Sequence, residues 1–172
     1  MAVDLKAKIR DVPDFPKPGV VFKDIMPLLS DADALRDAVD RIAEWAGPRE
    51  PDIVLGAEAR GYITGGALAC RLGCGFVPAR KPGKLPWRTV AVKYALEYGF
   101  DQLEVHADSI RPGQRVVVHD DVLATGGTAK ATVELVEQLG GVVVGLPFII
   151  ELAFLNGRDR LEGYDVFSLI EY

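Results

Sequence analysis

Two adjacent carboxylates, Asp120 and Asp121, follow the apolar run Val116-Val117-Val118 and His119, and the turn Ala124-Thr125-Gly126-Gly127-Thr128 comes soon after. Acids directly behind a buried stretch are costly unless they bind something. Ionised carboxylates only accept hydrogen bonds, so they suit hydroxyl donors and repel phosphate. The turn has the opposite preference. Gly126 and Gly127 let the backbone bend tightly and approach a ligand, and the free N–H groups at a helix start attract an anion. Thr125 and Thr128 add hydroxyls. Acceptors for neighbouring hydroxyls beside an amide cradle for phosphate describe a ribose 5-phosphate; the plainer alternative is a helix cap with solvent-facing acids. The segment is not a Walker A loop, since no Lys follows the second glycine, and it is not G-x-G-x-x-G.

The elements around this segment set the fold class. Arg115 to His119 reads as a strand with an apolar core. Thr128 to Leu139 places Ala131, Leu135, Val136 and Leu139 at helical spacing before Gly140-Gly141, and Val142 to Ile150 is a second buried strand. Upstream, Ile53-Val54-Leu55, a small-residue helix over 61–72 and Phe76-Val77-Pro78 repeat the strand–helix–strand order. Near-continuous apolar strands alternating with helices predict a doubly wound α/β domain, a parallel Rossmann-like sheet flanked by helices. Val166 to Ile170 supplies a last strand. Thr89 to Tyr98 pairs with Leu103 to His106 as a hairpin around Gly99-Phe100-Asp101. Ser30 is read as the N-cap of a helix carrying Leu35, Val39, Ile42 and Ala46, ended by Gly47-Pro48. The first thirty residues are mostly turns, punctuated by Pro13, Pro16, Pro18, Gly19 and Pro27.

A chain of 172 residues with 49% hydrophobic and 26% charged residues has the size and composition of one globular domain. Its net charge of −5 and pI of about 5.1 argue against a general nucleic-acid binder. The stretch 78–93 nevertheless holds Arg80, Lys81, Lys84, Arg88 and Lys93 and no acid. It either grips a small anion or is a solvated loop, and Trp87 within it would suit single-stranded nucleic acid were the chain not acidic overall. Two cysteines and two histidines exclude a disulfide framework and make a zinc cage a poor reading. No apolar run has the length of a membrane span and no secretory signal is visible, so a reducing cytoplasm is the default.

The segment Asp120 to Thr128 resembles the phosphoribosyl-pyrophosphate motif of type I phosphoribosyltransferases. Taken with Asp14-Phe15-Pro16-Lys17-Pro18-Gly19-Val20-Val21-Phe22-Lys23-Asp24-Ile25, Glu58-Ala59-Arg60-Gly61-Tyr62 and Tyr94-Ala95-Leu96-Glu97-Tyr98-Gly99, the chain resembles the adenine-using members of that family over nearly its whole length. The resemblance implies one domain over 1–172 with an N-terminal hood over about residues 1–30 and a flexible loop over about 80–106. It implies purine salvage: the phosphoribosyl group of 5-phospho-α-D-ribose 1-diphosphate passes to adenine, giving AMP and pyrophosphate, with Mg2+ held mainly by substrate and water.

The same resemblance distributes the roles. Asp120, Asp121, Ala124, Thr125, Gly126, Gly127 and Thr128 bind the ribose and its 5-phosphate. Arg60, Arg80, Lys81 and Lys84 bind the diphosphate, with a cis peptide at Glu58-Ala59. Val21, Phe22, Lys23 and Leu152 surround adenine. Glu97 is the acid/base near the purine N7, a role that calls for a partly buried carboxyl with a raised pKa. A homodimer is implied, with no nucleic-acid or membrane partner. The sequence departs from the family in placing Lys23 where many relatives have Arg, Pro82 where another basic residue is common, Trp87-Arg88 in the loop, and His119 before the acid pair. His119 is expected to be a satisfied buried side chain that tunes Asp120. A transferase for a 6-oxopurine and a non-catalytic sensor of the sugar diphosphate are the competing readings. Thr125 and the hood motif favour adenine, while Glu97, the basic loop and the lack of a spare helix-turn-helix favour an enzyme.

Overall fold

The apolar runs assemble into a parallel sheet in a computed structural model that describes residues 3–95 and 100–172. In chain order the elements are β1 (Arg10–Pro13), β2 (Val21–Asp24), α1 (Met26–Ser30), α2 (Ala32–Ala46), β3 (Ile53–Ala57), α3 (Arg60–Leu72), β4 (Gly75–Ala79), β5 (Thr89–Ala95), β6 (Phe100–His106), β7 (Arg115–Leu123), α4 (Gly127–Gln138), β8 (Val142–Glu151) and β9 (Val166–Glu171). The main sheet has the order β4-β3-β7-β8-β9, and its strands are parallel. From β3 the chain goes out to β4 at one edge, then returns to place β7 on the other side of β3. That reversal opens a crevice at the carboxyl ends of β3 and β7, where ligands of such sheets sit.

Why the strands read as unbroken apolar runs is clear from the two cores. Val116 and Val118 of β7, with Leu55 of β3, face α4 and the β5–β6 hairpin. Val117 and Val54 face the opposite layer, where α2 and α3 contribute Ala38, Ile42, Leu68 and Ala69. Successive side chains of a strand point to opposite faces, so a sheet covered on both sides buries all of them. The small residues of α3 let it lie close to the sheet: a Cβ on Gly65 would stand 3.0 Å from the Phe76 ring and 3.4 Å from the His119 ring.

Several boundaries differ from the sequence expectation. Asp31, not Ser30, caps α2, its Oδ1 accepting from the amides of Asp33 and Ala34 at 3.1 Å each. The Ser30 hydroxyl instead donates to the Pro27 carbonyl at the end of α1. Strand β7 continues past His119 to Leu123, so both acids belong to the strand, held there by pairing of Asp120 with Phe148 and Val122 with Ile150. Phe100 and Asp101 pair with Ala95 and Tyr94 as strand, not turn. In the hood, β1 and β2 pair antiparallel from Arg10↔Asp24 to Pro13↔Val21, a strand pair that the mostly exposed residues of β1 do not announce. The Phe15-Pro16 and Glu58-Ala59 peptide bonds are cis.

Candidate functional site

The β3/β7 crevice opens into a cavity of about 530 Å³. Val21, Phe22 and Leu152 are among its apolar lining, and Arg60, Lys81, Asp120, Asp121 and Thr128 are among its polar lining. A second cavity of about 70 Å³, the scale of one phosphate rather than a base, lies between Asp120 and the backbone of 122–129. The residues that the sequence assigns to ribose, phosphate and base therefore meet in one place.

Asp121 is 3% exposed. Its Oδ2 accepts from Arg60 Nε at 2.5 Å, and the Arg60 guanidinium lies 5.1 Å from the Phe22 ring centroid. One arginine thus joins the hood to the acid pair. The amide of Asp121 donates to Asp120 Oδ1 at 2.9 Å. Asp120 faces the cavity, yet loss of water around its carboxyl pushes its pKa well above the usual range; neighbouring Asp121 adds to the rise and the Arg60 charge opposes it. At the next turn, Gly126 adopts φ +80° and α4 opens without a side-chain cap. The first amides of a helix lack intrahelical partners, so this start is available to an anion.

The basic residues are less uniform than the sequence suggests. Lys81 lines the cavity, its ammonium paired with Asp101. Arg80 turns to Glu58, with Nη2 at 3.4 Å from Oε1, and donates to the Lys84 carbonyl at 3.2 Å. Lys84 thus meets Arg80 through its backbone and is not among the residues lining the cavity. Glu58 Oε2 also accepts from the Lys81 amide at 2.8 Å, the largest reason that its carboxyl lies below the usual range. Lys23 reaches the cavity, but its ammonium bonds to Asp11 at 2.6 Å and lies 4.0 Å above the Tyr172 ring, clasping the hood to the chain end. Glu97 lies outside the described residues.

His119 is fully buried. Its Nδ1 donates to the Pro147 carbonyl at 2.8 Å, which leaves Nε2 to accept from the Thr64 hydroxyl at 2.7 Å. Burial lowers its pKa to about 4, so the ring is neutral. The expectation of a satisfied buried histidine holds, and its hydrogen bonds go to Thr64 and Pro147 rather than to Asp120.

The phosphoribosyl transferase domain family matches residues 29–168. Adenine phosphoribosyltransferase of Desulfitobacterium hafniense is 58% identical over 171 residues, covering 99% of each chain. The Thermotoga maritima enzyme is 57% identical over 170 residues, covering 99% of this chain and 98% of its own. Among solved structures, the adenine phosphoribosyltransferase of Thermoanaerobacter pseudethanolicus superposes with a TM-score of 0.96 at 52% identity, covering 98% of both chains. That of Saccharomyces cerevisiae, crystallised with an imino-altritol bisphosphate and adenine, gives 0.93 at 38% identity over 96% of both. The chain belongs to the phosphoribosyl transferase family.

Within the family's site, sequence reasoning left Tyr94 and Asp101 without a role. Tyr94 lines the cavity, and its hydroxyl stands 3.5 Å from Thr128 Oγ1 while donating to Asp101 at 3.1 Å. Lys81, Asp101, Tyr94 and Thr128 form one chain of contacts along the cavity. The sequence reading placed Asp101 in the hairpin turn, and the observed β5–β6 register is what sets it opposite Tyr94.

Proposed function

We propose that the protein transfers the phosphoribosyl group of 5-phospho-α-D-ribose 1-diphosphate to adenine, releasing AMP and pyrophosphate. The observation that carries this reading is the lining of the cavity of about 530 Å³, which brings apolar Val21, Phe22 and Leu152 together with ionic Arg60, Asp120 and Asp121. Adenine packs against Val21 and Phe22, and backbone groups at Val21 read its polar edge. Asp120 and Asp121 accept from the ribose hydroxyls, and the amides and hydroxyls of Ala124 to Thr128 hold the 5-phosphate. Arg60 and Lys81 face the diphosphate directly, whereas Arg80, held by Glu58, and Lys84, off the cavity lining, reach it only if the loop rearranges. Adenine N9 forms a bond to C1 of the sugar as the bond from C1 to the diphosphate oxygen breaks. Positive charge on the ribose and negative charge on the leaving group both grow at that moment, and fixed charges aimed at them lower the barrier. Glu97, from the resemblance, hydrogen-bonds N7 and stabilises its proton as the base turns cationic, and that proton then leaves to give the neutral base of AMP alongside pyrophosphate.

Magnesium fits the donor set in one way only. The site offers hard carboxylate oxygens, of which Asp121 Oδ2 is taken by Arg60 and Asp120 Oδ1 by the Asp121 amide. Such a site suits an ion bound chiefly by substrate oxygens and water, with Asp120 and Asp121 touching it through hydroxyls or water. When bound, the ion neutralises the diphosphate. The resemblance also carries a homodimer, which sedimentation would test. No helix among the described residues is long and apolar enough to cross a membrane, and a cytoplasmic location accords with this.

Incubation with the sugar diphosphate, magnesium and each purine in turn tests the reading. AMP from adenine alone supports it. Product from a 6-oxopurine, or none from any base, overturns it.

A further inference from the structure

The Ala124–Thr128 turn contains no basic residue of its own, and a charge-assisted hydrogen bond to a phosphate is roughly twice as strong as one from a neutral amide. Lys130, on the first turns of α4, is drawn the other way, its ammonium 5.5 Å from the Tyr164 ring centroid. The cation beside the turn comes from the far end of the chain. The short turn Gly157–Leu161 packs on it so closely that neither Gly126 nor Gly157 leaves room for a side chain. Arg160 is carried on that turn. A Cβ on Gly126 would stand 3.3 Å from the Arg160 Cβ, and one on Gly127 would stand 3.5 Å from Arg160 Nη1. Arg160 is exposed, and no hydrogen bond or ion pair holds its guanidinium among the described residues.

The turn itself is firmly anchored. Glu151, 5% exposed at the end of β8, accepts from Arg158 Nε at 2.6 Å, Arg158 Nη2 at 2.7 Å and the Ser168 hydroxyl at 2.7 Å. Leu161 is 1% exposed and packs in the core on the α4 side. Two arginines two residues apart therefore do different work. Arg158 is spent on a buried carboxylate that fixes the turn, and Arg160 is left with its charge unspent at the start of α4.

We propose that Arg160 is a further substrate-binding residue, its guanidinium taking up the sugar's 5-phosphate alongside the Ala124–Thr128 amides. The inference rests on the ribose-phosphate reading above, and ribose 5-phosphate binding probes it without any turnover. Calorimetry with Arg160→Ala is expected to show about tenfold weaker binding of ribose 5-phosphate, the size of one charge-assisted contact at a partly exposed site. KM for the sugar diphosphate rises in parallel, while KM for adenine and kcat stay within about twofold. Arg160→Lys recovers most of the loss, and the salt dependence of ribose 5-phosphate binding is shallower in the Ala variant than in the parent. Unchanged ribose 5-phosphate affinity in Arg160→Ala overturns the inference even if AMP is made. So does a loss that Lys does not rescue and that a lowered Tm accompanies, which would mark a structural role. A parent that binds ribose 5-phosphate but makes no AMP defeats the proposed reaction and leaves this site standing.

Discussion

Gly61, the second residue of α3, abuts Asp120 so closely that a Cβ there would stand 2.7 Å from Oδ1 and 3.3 Å from the Asp120 Cα. The backbone contact cannot be relieved by rotating a side chain, so a methyl must push the acid or the helix away. Overpacking of this kind costs roughly 1–3 kcal/mol. Gly61→Ala is expected to raise KM for the sugar diphosphate about tenfold or more and to lower Tm by several degrees. Gly66→Ala, in the same helix with nothing within 4 Å of its Cβ, is expected to leave KM unchanged and hold or raise Tm. Equal behaviour of the two variants would show that Gly61 does not place Asp120.

On the proposed reading, Asp120 sets binding against stability. Its folded pKa lies well above the usual carboxylate range, chiefly through loss of water and next through Asp121. The folded state therefore keeps a proton that the unfolded chain releases near pH 4, and stability falls as pH rises from there through the folded pKa. Asp120→Asn removes that charge while keeping an oxygen for the Asp121 amide. It is expected to raise Tm of the ligand-free protein at pH 7 by a few degrees and to flatten this part of the pH profile. Ribose 5-phosphate binding weakens in the same variant. A Tm at or below the parent's at pH 7 contradicts the argument.

The sheet was legible because Val116, Val117 and Val118 are apolar in a row, which only burial on both faces explains. The turn before α4 was legible because its signal is local: Gly126 and Gly127 let the backbone bend there, and Gly126 takes φ +80°. What escaped were partnerships made across the fold. Nothing near Lys81 in sequence names Asp101, twenty residues on, as its counter-ion, and the loop's basic residues look alike until Glu58 takes Arg80. Lys23 looks like a base-site cation until Asp11 and Tyr172 are seen to hold it. Ser30 and Asp31 are equally good caps by type, and the backbone geometry at the end of α1 decided between them.

Arg60 carries two duties at once. It neutralises Asp121, whose side chain is 4% exposed, and it keeps 39% of its own side-chain surface open toward the cavity. Arg60→Gln is expected to lower kcat/KM for the sugar diphosphate about 100-fold and to lower Tm, since Asp121 loses its partner. Because Arg60 is partly exposed, the stability loss should be smaller than for a fully buried pair. Arg60→Lys keeps the charge without the planar fork and should recover stability more than kcat/KM. Recovery of both to the same extent would mean that the fork geometry is unimportant.

The acid/base role that the resemblance gives Glu97 separates cleanly from binding. Glu97→Gln is expected to lower kcat by at least about tenfold, the low end of what a general acid or base contributes, with pyrophosphate affinity unchanged. Unaltered turnover removes Glu97 from the chemistry.

His119 governs the acid limit of the fold. The ring is neutral in the folded state, with a pKa lowered to about 4 by burial, against about 6.5 when unfolded. Between these values the unfolded chain binds a proton that the native protein refuses, so stability is full above pH 6.5 and is lost as pH falls toward 4. The difference corresponds to about 3 kcal/mol at the bottom of that window. Protonation would also leave Nε2–H facing Thr64, whose hydroxyl would then have to reverse its donation. His119→Asn can still donate to the Pro147 carbonyl but cannot titrate. It is expected to be less stable than the parent at pH 7, because the Thr64 hydroxyl loses its acceptor, and to lose less further stability between pH 7 and 5. Denaturant melts at both pH values measure this directly, and parallel losses in the two proteins would assign the acid sensitivity to other groups.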